Sequence, residues 1–292
     1  MAPIDLPGSE QATGPTARRM ILGTQLRRLR EKSGITRAKA AWEIRASESK
    51  ISRMELGRVG FKERDVTDLL TMYGVHDPTE RDWAVRMVKE SNQPGWWHPY
   101  NDLVPSWFDN YIGLEEAAAR IRTYELMFVP GLLQTERYAR AVISHGDPDS
   151  RDEDVERKVG LRMRRQKLIN GPKPPRLWAV IDEAVLARPF GGAGVLREQI
   201  DKLLELIDMP HVAVQVIPYD MSGFAAESAF SLLQFAEPDL PNIAYVEHLN
   251  GASYLEKPED LEVYGRAFDR LTVDAETPDR TRQMLLKKRE EL

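Results

Sequence analysis

The chain has 292 residues, 42% hydrophobic and 30% charged, enough apolar material for a sizeable core beneath a charged surface. It has no cysteine, which excludes disulfides, thiolate-ligated metals, iron–sulfur clusters and thiol catalysis. No run approaches the roughly 18 consecutive apolar residues of a membrane span, and the start, Met-Ala-Pro-Ile-Asp-Leu-Pro-Gly, has neither the basic region nor the apolar stretch of a secretory signal, so a cytoplasmic protein is expected.

The formal net charge of −5 is unevenly spread. Residues 18–74 carry 14 Lys and Arg against 7 Asp and Glu, a balance of +7; residues 1–17 hold −2 and residues 75–292 hold −10. A basic block on an acidic chain is the electrostatic footprint of a nucleic-acid-binding module joined to something else, although a solvated basic face has the same composition.

Residues 1–17, rich in Pro, Gly, Ser and Thr, read as a disordered tail. Five short helices are expected next. Leu22, Leu26 and Leu29 make one apolar stripe that stops at Gly34. Thr36 caps a second helix with Ala40, Ala41 and Ile44 inward, and Ser47 caps a third, buried through Ile51 and Met54 and closed by Gly57. Val66, Leu69, Leu70 and Tyr73 line a fourth, and Asp77-Pro78-Thr79-Glu80 opens a fifth that runs to about Asn92. The predicted organisation is a helix-turn-helix DNA-binding domain over 18–75, a linker helix over 76–92 and an α+β domain over 93–292.

Beyond Gln93-Pro94-Gly95 the texture becomes mixed. Strands are expected over 119–126, 177–181, 212–217, 230–235 and 243–247, and helices over 135–144, 153–169, 195–207, 258–273 and 278–290. The fold class is thus an all-α N-terminal helix-turn-helix bundle joined to a larger α+β domain with a mostly antiparallel sheet.

The stretch from Ile35 to Arg58 carries the chemistry. Two short helices crossing steeply need a small residue where they meet, and Ala41 supplies it. The second helix must bury Ile51 and Met54 and keep the polar turn Ser47-Glu48-Ser49-Lys50 free to enter a major groove. Arg37 starts its own helix, where side chain and helix N-terminus together can meet a phosphate.

On Leu26-Arg27-Arg28-Leu29-Arg30, Ile35-Thr36, Ala41 and Ser49-Lys50-Ile51-Ser52-Arg53-Met54-Glu55-x-Gly57, the region resembles the Cro and phage-repressor-like (XRE-type) helix-turn-helix family. The resemblance implies that Glu48, Ser49 and Arg53 face base edges, that Arg37, Lys50, Ser52 and Arg58 lie near phosphates, and that Arg30 and Glu55 form a buried structural pair. Two departures stand out. Arg45 replaces a frequent turn glycine, where a positive φ costs about 1 kcal/mol. Arg37 and Glu48 stand where many members have Gln; Glu48 suits a cytosine amine but repels phosphate.

In the second half, Trp96-Trp97-His98-x-Tyr100, Pro105-x-Trp107-Phe108-x-x-Tyr111-Ile112-Gly113-Leu114-Glu115, Ile121-Arg122-x-Tyr124-Glu125, Val129-Pro130-Gly131-Leu132-Leu133-Gln134-Thr135 and Tyr245-Val246-Glu247 resemble the C-terminal domain of the actinobacterial WhiJ-like and antitoxin-like regulators. That resemblance implies a small partner protein encoded nearby and brings no catalytic residues. Trp96, Trp97, Trp107 and Tyr111 could instead line a ligand pocket, with core packing the blander reading.

Other motifs carry little. Gly191-Gly192-Ala193-Gly194 lacks the Lys-Ser/Thr of a phosphate loop and reads as a helix-capping loop. His98, His145, His211 and His248 are scattered, so no metal and no cofactor is expected. No constellation has catalytic spacing, so the chain is not expected to be an enzyme. The basic run Arg162, Arg164, Arg165 and Lys167 follows acids at the start of its helix, as the macrodipole favours. The functional expectation is a nucleoid-associated transcriptional regulator, a homodimer on palindromic double-stranded DNA, whose C-terminal domain binds a small partner protein or, alternatively, senses a small molecule.

Overall fold

A computed structural model describes residues 14–221 and 226–292; positions 1–13 of the expected disordered tail lie outside the described residues. The chain divides into two compact units. The first comprises residues up to His98 together with two later segments, Asp109–Ala117 and Phe235–Pro241; the second comprises Pro99–Phe108, Ala118–Gln234 and Asn242–Leu292.

The first unit is helical. Its elements are α1 (Pro15–Lys32), α2 (Arg37–Glu43), α3 (Glu48–Glu55), α4 (Glu63–Met72) and α5 (Pro78–Ser91), joined by the greater part of α6 (Ser106–Ala117). Capping follows the sequence: the Thr36 hydroxyl accepts from the Lys39 N–H, Ser47 from Lys50, and Asp77 from Thr79 and Glu80. Arg45, in the turn between α2 and α3, takes a φ of 52°, the left-handed conformation that a non-glycine residue adopts at a cost of about 1 kcal/mol.

Helix α1 departs from its expected single stripe. Met20, Ile21, Leu22 and Gly23 are all buried, and four consecutive helical residues sweep about 300° around the axis. The reason is twofold. Gly23 is pressed against α3, where a Cβ would stand 2.4 Å from the Met54 carbonyl oxygen and 2.8 Å from that of Glu55. Gly57, at a φ of +63°, returns the chain so closely over Met20 that a Cβ there would lie 2.6 Å from its Cα. The sequence-distant segments of the same unit meet other faces of α1, with Asp239 hydrogen-bonded to Gln25.

The second unit is built on β1 (Arg120–Glu125), β2 (Arg176–Asp182), β3 (Val212–Ile217), β4 (Phe230–Gln234), β5 (Ile243–His248) and β6 (Gly251–Leu255), in the order β3-β2-β1-β4-β5-β6. The sheet is mixed where a mostly antiparallel one was expected. β1, β2 and β3 run parallel, because helices fill the β1–β2 and β2–β3 connections, while β4, β5 and β6 continue antiparallel. Helices α7 (Glu136–Gly146), α8 (Asp152–Arg165), α9 (Ala184–Ala187), α10 (Ala193–Ile207), α11 (Pro258–Asp274) and α12 (Pro278–Glu291) complete it. Tyr124, Val180, Phe230, Leu232, Ala244 and Val246 bury one sheet face against Phe268 and Leu271 of α11. The fold is an all-α helix-turn-helix unit followed by an α+β domain.

The loop after β1, which includes a 3-10 turn at Gly131–Leu133, is tied down by glutamine side chains. Gln134 donates its side-chain amide to the Val129 carbonyl (2.8 Å), Gln166 to those of Gly131 (3.0 Å) and Gln134 (2.8 Å), and Gln199 to that of Leu133 (2.8 Å). Gln199 also accepts from the Thr135 N–H at 2.7 Å. Glutamine amides thus replace the partners that buried backbone would find in a helix or strand.

Candidate nucleic-acid interface

The centre of the helix-turn-helix is the carboxylate of Glu55. It is buried at the C-terminal end of α3, where it accepts from both Nε and Nη2 of Arg30 (the latter at 3.0 Å) and from Nε of Arg37 at 3.0 Å. Arg30 also donates to the Ile35 carbonyl at 3.0 Å, tying α1 to the start of α2. Its hydrogen bonds to Glu55 hold the Arg30 guanidinium above its ordinary pKa, and burial, with the Glu55 charge, pushes the Tyr73 phenol upward. Lys50 makes a second tie, its ammonium lying 2.6 Å from Asp65 of α4.

With α3 so fixed, Ile51 and Met54 face inward and Glu48, Ser49 and Arg53 face solvent. Arg53 reaches back along its own helix to the Ser49 carbonyl at 3.4 Å. Ser52 is half-buried, and Arg58 is exposed just past the helix. The structure therefore gathers Glu48, Ser49, Arg53 and Ser52 on one element. Arg37 and Lys50 sit beside it in ion pairs within the unit, Arg37 with 42% of its side chain exposed. Trp42 of α2, which is no part of the predicted site, is 80% exposed; an aromatic at a position off the Ala40-Ala41-Ile44 face is its only signal.

The four aromatic pocket candidates are divided. Trp97 and Tyr111 are buried in the first unit and Trp96 packs edge-on against Trp97, whereas Trp107 belongs to the second unit, its carbonyl accepting from the Tyr254 hydroxyl. Among the described residues no group of three or more His, Asp or Glu is placed to hold a metal ion, and no helix is long and apolar enough to cross a membrane.

A further polar site lies where β1, β2, β3 and β5 all end. On the face opposite α11, Glu125 stands at the end of β1. Burial, then the Glu247 charge, raises its carboxyl to about 8, against the opposing pull of Arg162. Arg162 itself donates to Gln134 at 2.7 Å. Around this end Met127, Tyr219, Met221 and Leu249 are exposed, and Asp182 and Glu183 cap the turn after β2 and the Tyr219 N–H. The motif Ile121-Arg122-x-Tyr124-Glu125 includes Glu125 but cannot show its surroundings, because the charges that act on it come from β5 and α8.

Two outcomes are expected. Glu55→Ala strands a buried guanidinium and should destabilise the helix-turn-helix unit by about 3–5 kcal/mol; an unchanged melting temperature contradicts the role given to Glu55. For Glu125 the folded-state pKa lies above its ordinary 4.5, so the native chain keeps a proton that the unfolded chain loses. Stability should fall as pH rises from about 4.5 to about 8 and then level off, and Glu125→Gln should flatten that fall in thermal melts.

A helix-turn-helix domain model matches residues 21–84, so α1 to α5 form a DNA-binding module and the chain is a DNA-binding regulator. A second model, described as a domain of unknown function (DUF5753), matches residues 108–287. No curated protein and no solved structure matches the chain. Because the second model spans more than half of the sequence, the chain belongs to the DUF5753 family, with a helix-turn-helix domain at its N-terminal side.

Proposed function

We propose that this protein is a sequence-specific transcriptional regulator of the XRE type, acting in the cytoplasm on the nucleoid, and that α3 enters the major groove. The observation that carries the reading is the fixed presentation of α3: its C-terminal end is clamped through Glu55, while Glu48, Ser49 and Arg53 are turned to solvent. In this docking Glu48, Ser49 and Arg53 meet base edges. Arg37, Lys50, Ser52 and Arg58 approach phosphates. Arg37 uses the outer edge of a guanidinium whose Nε stays on Glu55, and Lys50 has three donors to share between Asp65 and a phosphate. Residues 18–75 hold the DNA-contacting helices, 76–92 the linker helix, and 93–292 the regulatory region, of which residues up to His98, Asp109–Ala117 and Phe235–Pro241 belong structurally to the first unit. Two chains bind a palindromic operator with half-sites about one helical turn apart, about 34 Å.

The regulatory domain, in the same proposal, takes a small partner protein, antitoxin-fashion, and the regulator acts as a repressor or autoregulator. The sheet end favours a protein partner over a small apolar ligand: Met127, Tyr219, Met221 and Leu249 are exposed just past the ends of β1, β3 and β5, and adaptable Met and aromatic side chains are typical of protein interfaces.

Selection of duplexes from a random pool by the full chain, followed by footprinting, tests the DNA half. A short palindromic footprint holding two chains is expected. Arg53→Ala should cost about 1–3 kcal/mol on the selected duplex and relax one base position. An equal loss on selected and random duplexes would make Arg53 a phosphate contact. Co-purification of the small neighbouring gene product with the full chain, lost in Leu249→Asp, tests the partner half; undiminished co-purification removes the sheet end from the interface.

A further inference from the structure

The seven residues Phe235–Pro241 belong to the helix-turn-helix unit although β4, which ends at Gln234, and β5, which begins at Ile243, belong to the other. Within that loop Asp239 is 8% exposed and its carboxylate faces α1. One oxygen accepts from the Gln25 side-chain amide at 2.7 Å, and the other takes the Arg28 guanidinium. Gln25 is itself 5% exposed, so neither the amide nor the carboxylate has water as a full alternative. The turn closes on itself through the Leu240 N–H, which donates to the Glu237 carbonyl at 3.1 Å.

These anchor points are nested along one helix. Gly23 and Arg30 hold α3, through backbone contact and through Glu55, and Gln25 and Arg28 lie between them holding Asp239. A rigid helix clamped to α3 on both sides of the Asp239 contact cannot shift at Gln25 without moving Gly23 or Arg30, each within about 8 Å along the axis at 1.5 Å per residue. The loop's two ends are fixed to β4 and β5, which are hydrogen-bonded to each other.

We propose that Asp239 is a positioning residue for DNA recognition: through Gln25 and Arg28 the β4–β5 loop sets the place of α1, and α1 sets the recognition helix α3. The proposal rests on α3 being the base-reading element, and it makes the loop the covalent route by which an event at β4 or β5 alters DNA selectivity. Asp239 also neutralises Arg28, whose side chain is 56% exposed. Its loss therefore has two opposite effects on DNA. The freed Arg28 adds one cation for phosphate and strengthens binding to any sequence, while displacement of α1 weakens binding to the preferred one.

The test uses the full chain with two probes, the duplex that the wild type recovers from a random pool and a scrambled duplex of equal length. The readout is the ratio of the two affinities. A merely stabilising residue would not move that ratio, because an unfolded fraction lowers both affinities alike. Asp239→Ala and Gln25→Ala should lower the ratio about tenfold, the scale of one buried hydrogen bond to a charged group. Asp239→Asn, which keeps an acceptor for Gln25 and stays closer to the native fold, should retain part of it. Amide exchange of α1 and α3 should quicken in all three variants without DNA present. A wild-type ratio in folded variants, or unchanged exchange in α3, overturns the role of Asp239 alone. A wild type that selects no duplex overturns the base-reading role of α3 and this inference with it.

Discussion

A carboxylate buried at the C-terminal end of a helix is in the wrong place by two criteria. It loses its hydration, and it faces the negative end of the helix dipole. Glu55 occupies that position on α3, and the arrangement holds because two guanidinium groups converge on it, Arg30 from α1 and Arg37 from α2. The pair's gain over a hydrophobic substitute need not be large, since desolvation offsets much of the attraction. What it provides is direction: three helices are fixed relative to one carboxylate, and the exposed turn Glu48-Ser49 takes its place from that point. Arg45 shows the same priority, a strained turn kept so that α3 leaves α2 at the required angle.

The cations of the basic block are consequently less available than their number implies. Arg28, Arg30, Arg37 and Lys50 each have a carboxylate partner inside the unit. The +7 balance of residues 18–74 therefore describes a field around a structured surface rather than a set of loose side chains. Residues such as Arg37 and Lys50 would serve both the fold and the phosphate backbone, so substitutions there mix loss of contact with loss of position. Arg53, whose hydrogen bond lies along its own helix, separates the two more cleanly.

Much of the first unit was legible because its determinants are local. Caps at Thr36, Ser47 and Asp77, and apolar spacing in α2 to α4, lie within a few residues of what they control. Helix α1 shows one apolar stripe in its own sequence because what covers its other faces, α3 with Gly57 and the segments Asp109–Ala117 and Phe235–Pro241, lies farther along the chain. Helix α6 went unrecognised since its aromatic residues have no single apolar face, and β6 since Gly251-Ala-Ser-Tyr-Leu is short and half-exposed. The five strands proposed from alternating patterns are present, but their directions depend on which neighbour each strand finds, information that no strand contains by itself.

The sheet places the least legible residue at its most consequential point. β1 is the one strand with a parallel neighbour on one side and an antiparallel neighbour on the other, and in open α/β sheets the carboxyl ends of strands at such a change of order are where ligands gather. Glu125 ends that strand. Burial and the Glu247 charge raise its carboxyl against the opposing pull of Arg162, which also donates to Gln134. Any cationic group brought to this end would favour the carboxylate and expel the proton, by the same linkage that ties the proton to stability. The pH dependence of the fold and the binding of a partner's basic side chain would then be two readings of one carboxyl group.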